Sequence, residues 1–318
     1  MLELNEGLKN EFRRTAGALK KRFEQRPDRA RIRAYINESS LGRFVKSRKM
    51  SDNELERLME KGGVAGVDGS TNSTGGMFPY VITLQQAMAK CTVAQEEIYF
   101  YDVLCPLFIG EDLNEAEYQQ LVKSNLAVLE AQAAISAVKK YRPAVMLIDG
   151  SLVRLKIEAK ELWESLKAEV LKAGTLLVGV VEGISTRIIS SALKDAIPDA
   201  VSGACDWELL LGVLDVGEGL EVTPGCFKEG FRTVFMRTSF DPKPIGIDLL
   251  EEQYENLELV ENLIFTLTPE GSRGIPLWLD LIDKKVKISD ATMEGLLKAY
   301  LGKEYAEFLT PKRAKRSP

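Results

Sequence analysis

A chain of 318 residues with 45% apolar and 28% charged side chains has an ordinary globular composition and enough apolar material for a sizeable core. No apolar run reaches bilayer-spanning length, and the opening MLELNEGLKNEFRRTAG lacks a signal-peptide core, so a cytoplasmic protein without a membrane span is expected. The net charge is −5 and histidine is absent, which excludes a Ser-His-Asp triad, a Cys-His pair, histidine-ligated zinc and a histidine general base.

Catalysis, if present, must therefore rest on carboxylates, lysine, serine, tyrosine or a metal held by oxygen. The four cysteines, Cys91, Cys105, Cys205 and Cys226, are scattered without a C-x-x-C, so neither a disulfide framework nor a structural zinc site is expected. Charge is unevenly spread. Residues 1–50 carry 14 Lys/Arg against 6 Asp/Glu, and the tail PKRAKRSP adds four more cations. Basic ends on an acidic body suggest an anionic partner such as nucleic acid, the plainer reading being a solvated helical face.

In chain order, residues 5–25 and 28–48 read as charged helices broken at Arg26-Pro27. Their sparse apolar positions (Leu8, Phe12, Ala16, Leu19, Phe23) predict packing along one thin stripe. Ser51 followed by Glu54 is a helix-start signature. VAGVDGS (64–70) predicts a short strand running into Asp-Gly-Ser, and the aromatic and β-branched residues of 77–84 and 96–109 predict strands. A long helix over about 113–141 closes at Arg142-Pro143, and AVMLIDGSL (144–152) again takes a buried strand into Asp-Gly-Ser. A helix (154–173), a strand (175–182) and a helix near 185–195 follow. After them come a helix at 205–215, a strand pair at 231–239 and 245–249, and helices at 254–266 and 291–308. Apolar strands alternating with helices imply an α/β domain with a mixed sheet flanked by helices. The expected organisation is a basic helical arm (1–50), one domain (51–310) and a basic tail (311–318).

Three acids stand out. Asp68 and Asp149 each follow a buried strand and precede glycine, a placement suited to a hard cation beyond strand ends, although Asp-Gly also makes simple turns. Glu130 lies amid Leu126, Ala127, Ala133, Ala134, Ala137 and Val138 on the apolar face of the long helix, where a carboxylate is costly unless paired or metal-bound. Asp, helix Glu, then strand-end Asp is the order of carboxylates in a ribonuclease H-like fold, which holds divalent metals for phosphodiester cleavage. Mn²⁺ or Mg²⁺ suits an all-oxygen site. Weaker candidates are Lys156, Arg187 and Arg237 for phosphates, Ser70 and Ser151 for a ligand or the turn, and Phe78, Tyr80, Tyr99 and Tyr101 for base stacking or core packing.

With these residues in view, the chain resembles the NurA family of DNA-repair nucleases. The resemblance rests on VAGVDGS, the helix with Glu130, AVMLIDGSL, TLLVGVVEGISTRIISSAL (175–193), WELLLGVL (207–214) and GIPLWLDLID (274–283), and covers roughly residues 50–290. It implies a manganese-dependent ribonuclease H-like nuclease acting on DNA ends in double-strand-break repair, by 5′ to 3′ resection and single-strand trimming. It also implies a homodimer docked on a hexameric HerA-type DNA-translocating ATPase. Asp68, Glu130 and Asp149 fall on the family's metal-binding acids. Where the family has Gly-Tyr-Pro and a later histidine, this chain has Gly274-Ile275-Pro276 and, at about the histidine's distance, Asp283, which is taken as the fourth ligand, with Asp280 as its neighbouring alternative. Two rival readings remain. One is an actin-like or sugar-kinase-like ATPase, motivated by GVDGSTNSTGG (66–76). The other is a catalytically silent adaptor, motivated by the missing tyrosine and histidine.

Overall fold

The computed structural model describes residues 5–110, 113–198, 201, 203–225 and 227–309. The tail 311–318 and Cys226 lie outside them. The elements in chain order are α1 (Glu6–Glu24), α2 (Arg29–Glu38), β1 (Gly42–Lys46), α3 (Asp52–Glu60), β2 (Val64–Gly75), β3 (Val81–Cys91), β4 (Glu97–Leu104), α4 (Glu115–Tyr141), β5 (Val145–Asp149), α5 (Leu152–Glu158), α6 (Lys160–Ala173), β6 (Leu176–Val181), α7 (Ile188–Ala192), α8 (Asp206–Leu210), β7 (Glu218–Val222), β8 (Phe231–Arg237), β9 (Ile245–Leu250), α9 (Leu257–Leu267), α10 (Leu277–Val286), α11 (Asp290–Tyr300) and α12 (Gly302–Leu309). No described helix is long and apolar enough to cross a membrane.

Among the described residues, nine strands form one mixed sheet in the order β1-β7-β8-β9-β6-β5-β2-β3-β4. Its centre is parallel, β2 beside β5 beside β6, and every outer pairing is antiparallel. The half β4-β3-β2-β5-β6 is the ribonuclease H-like part of this α/β fold. The apolar runs VMLID and LLVGVV occupy its centre because both faces are covered. On one face lies α4, whose small residues Ala127, Ala131 and Ala134 admit close approach to the sheet, with α6 beside it. On the other, Leu263, Ile264 and Leu279 of α9 and α10 pack on Val145, Leu147 and Val178.

The structure corrects three expectations. The second predicted helix stops at Glu38, and Ser40 takes a left-handed φ of 54°. Residues 42–46 then form edge strand β1, because β7 offers them a ladder from Gly42–Val222 to Lys46–Glu218. The apolar stripe of α1 is not packed: Leu8, Phe12, Leu19 and Phe23 are all at least half exposed. The basic charge of this arm is largely spent on the chain's own acids. Arg22 pairs with Glu208, Arg29 with Asp215, Arg33 with Glu218 and Arg43 with Glu221. The expected capping box is present, with Glu54 accepting the Ser51 backbone N–H at 2.8 Å. Cys91, Cys105 and Cys205 are unpaired thiols.

Candidate functional site

The sheet fixes how the predicted acids relate. Val67 on β2 is in register with Ile148 on β5, so Asp68 and Asp149 are neighbours on adjacent parallel strands. Residues on a strand alternate faces, which puts both on the side covered by α10, together with Leu147. The sequence misled at one point: only Asp149 ends its strand. β2 continues through Asp68-Gly69-Ser70 to Gly75, because β3 pairs with it along the whole length.

Two glycines of VAGVDGS bring the other acids in from opposite faces. A β-carbon on Gly66 would stand 2.4 Å from Ile282 Cδ1, so glycine lets α10, which carries Asp283, close on the strand. A β-carbon on Gly69 would stand 2.7 Å from Glu130 Oε1 and 2.9 Å from Leu126 Cδ1, so glycine there makes room for the α4 carboxylate. Gly69→Ala is therefore expected to cost about 1–3 kcal/mol, the range for overpacking a filled site. A urea midpoint equal to wild type would contradict this packing.

Asp68 is buried, and among the described residues its carboxylate accepts only the Gly69 N–H, at 2.7 Å. Burial first, then the charge of Asp149, with Glu130 and Asp283 adding, pushes its pKa up to about 7 against the opposing Gly69 bond. Asp149 is half-buried, and its side chain has no hydrogen-bond partner among the described residues. Burial raises its pKa, Asp283 and Glu182 push the same way, and Arg273 and Arg154 oppose. Glu130 is only 3% exposed. Burial raises its pKa too, against the Arg154 guanidinium, to which it is joined by a short ion pair. Asp283 lies on the exposed side of α10, whereas Asp280 is taken by Arg273 at 2.7 Å. Among the described residues no three acids form a ready metal-holding cluster, and Glu130 engages Arg154. The donor set nevertheless suits a hard cation: oxygen-only groups, sharing a site where their own charge is costly.

Sequence reasoning missed two cations here. Arg154 sits one helical turn after Gly150, bound to Glu130 and 3.5 Å from the Asp149 carbonyl. Arg273, just before Gly274-Ile275-Pro276, holds Glu182 at 2.5 Å and Asp280. The cations singled out instead are placed otherwise. Arg237 donates to the carbonyls of Leu214, Phe240 and Asp241, and Lys156 lies over the Phe231 ring. Arg187 is exposed at the start of α7. Ser70 accepts the Ile288 N–H, and Ser151 caps α5 while donating to Asp248 at 2.8 Å. Tyr80, Tyr99 and Tyr101 are exposed rather than core, and Phe78 packs near Tyr118. Ile275, which stands where the resemblance implies a tyrosine, is a core residue.

Comparison with known proteins agrees with this frame. A structure described as NurA with manganese is 14% identical, aligning over 92% of this chain and 98% of its own with a TM-score of 0.52. A second, NurA bound to dAMP and manganese, is also 14% identical, over 94% and 99%, with a TM-score of 0.55. At this identity the likeness is one of fold. A search of curated proteins gives no match. The family model for the NurA domain matches residues 62–288, which is most of the chain and includes Asp68, Glu130, Asp149 and Asp283, and the chain therefore belongs to the NurA domain family.

Proposed function

We propose that this chain is a divalent-metal-dependent DNA nuclease that trims or resects DNA ends in double-strand-break repair, as a 5′ to 3′ exonuclease and single-strand endonuclease. The observation that carries the reading is the placement of Asp68 and Asp149 on adjacent parallel strands at the sheet's centre, with α10 bringing Asp283 from one face and α4 bringing Glu130 from the other, in a NurA-domain chain without histidine. The manganese and dAMP in the structures of related fold support it.

These four acids would hold Mn²⁺ or Mg²⁺. When bound, the metal supplies positive charge to polarise the phosphate and activate water. The chain's own part is placement. Asp68 and Asp149 are fixed by adjacent strands, and Arg154 and Arg273 flank them as guanidinium groups of the kind that grip phosphate oxygens. The unburied stripe of α1 supports docking on a larger assembly, for which we propose a homodimer on a HerA-type ATPase, in the cytoplasm. The silent-adaptor reading predicts DNA binding without cleavage.

Incubation of end-labelled linear DNA with the protein and Mn²⁺, with and without the ATPase partner, tests the proposal. Trimming that disappears in excess chelator is expected. No trimming under any of these conditions would leave the adaptor.

A further inference from the structure

A second feature lies beside the acids at the same end of the sheet. Between the segment after β6, the β8–β9 loop and α8 is a cavity of about 340 Å³, within the usual range of roughly 300–1,000 Å³ for small-ligand sites. Trp207, Lys243, Pro244, Ile184, Glu182 and Arg273 are among its walls. It adjoins the acids through its own lining. Val180, two residues before Glu182, pairs with Asp149, and both Glu182 and Arg273 act on the Asp149 charge. In open α/β sheets this carboxyl-end position is where ligands bind.

The chemistry of the lining is specific. Trp207 is only partly buried, and the Lys243 ammonium stands 5.9 Å from its ring centre. That ammonium has no carboxylate partner among the described residues. The wall bearing the indole is held firmly. Asp206, wholly buried, accepts the N–H groups of Ile188, Ile189 and Ser190, and its own N–H donates to Thr186 O at 2.7 Å. One buried carboxylate thus ties the loop after β6 to α8 and sets the indole in place. An indole face, the apolar Ile184 and Pro244, and a cation without a carboxylate partner among the described residues, next to the acids proposed for phosphodiester chemistry, match a nucleobase joined to a phosphate.

We propose that this cavity receives one nucleotide of the single DNA strand lying across the acid cluster, its base stacked on Trp207 and its phosphate met by Lys243. The proposal rests on the nuclease reading for the identity of the polymer.

Its test is a tryptophan-fluorescence titration of the full chain with oligo(dT) in excess chelator, so that binding is read without cleavage. Wild type should show saturable quenching. Trp207→Ala should lose most of the quenching and bind roughly 5- to 150-fold more weakly, the range for removing one stacked base. Trp207→Phe should retain most of the affinity, which keeps the test valid if the alanine variant folds poorly. Lys243→Gln should flatten the salt dependence by about 0.7 in log–log slope, as expected for one lost single-strand phosphate contact. Unaltered affinity in Trp207→Ala and Lys243→Gln, or no oligonucleotide binding by wild type, would overturn the proposal. The two readings fail separately: Trp207-dependent binding without metal-dependent cleavage removes the nuclease alone, and cleavage with unaltered binding in both variants removes this site alone.

Discussion

Asp68→Asn is expected to be more stable than wild type in metal-free buffer above about pH 7, and to cleave DNA at least roughly 100-fold more slowly. The loss follows from removing a charge donor that the proposed site assigns to the cation, since even partners one layer further out typically cost 10–100-fold. The gain has the same origin. Asp68 titrates near 7 in the fold and near 3.9 in an unfolded chain. The folded state thus holds its proton more tightly. The stability this contributes is fully present below about pH 4 and is lost as pH rises through about 7. At about 1.4 kcal/mol per unit, the ionised group costs the metal-free fold a few kcal/mol, and the isosteric amide does not. Wild type and variant should therefore melt together near pH 4 and diverge toward neutrality. Mn²⁺ should raise the wild-type melting temperature more than the variant's, because a cation bound only to the fold stabilises it by mass action. A variant less stable than wild type at neutral pH would show that Asp68 carries no electrostatic burden.

The second large effect lies away from the acids, at Glu261 on α9. This side chain is 3% exposed, and its Oε1 has no hydrogen-bond partner among the described residues. Burial first, then Glu221 and Glu258 against the opposing Arg43, pushes its pKa up to about 8. Here too the contribution is complete below the unfolded value, near 4.3, and is lost as pH rises through about 8. Glu261→Gln should match wild type only at about pH 4 and below, and exceed it above pH 8 by an amount on the order of a few kcal/mol. Urea unfolding across that window measures it. Mn²⁺ should suppress the Asp68 part of the pH dependence and leave the Glu261 part unchanged, which separates the two groups in one data set. A flat difference between Glu261→Gln and wild type across the window would remove Glu261 as the source.

The parts legible in the sequence were those decided locally. The apolar runs at 145–148 and 176–181 read as strands covered on both faces, and Glu130 declared itself by interrupting an apolar face of its own helix. What stayed hidden depends on distant partners. GRFVK at 42–46 looks like more charged helix until β7 arrives to pair with it, and EGLEV at 218–222 carries too little pattern to announce a strand. The repeated Asp-Gly-Ser suggested two alike strand ends. They differ because β3 extends the first and nothing extends the second. Arg154 and Trp207 gain their meaning only from what the folded chain sets beside them.

The ladder of arginine pairs along the arm also constrains the order of events in synthesis. Arg22, Arg29 and Arg33 meet their acids 185 or 186 residues later, and Arg43 meets its own after 178. At translation rates of about 5–20 residues per second, residues 22–43 wait on the order of 10–40 s before those partners exist. The ribonuclease H-like half, complete by Val181, is free to collapse during that interval, while the arm and β1 can add only after β7 has been made, across a long loop. The first-made strand of this sheet thus waits for the seventh before it finds a neighbour, and ends as an edge.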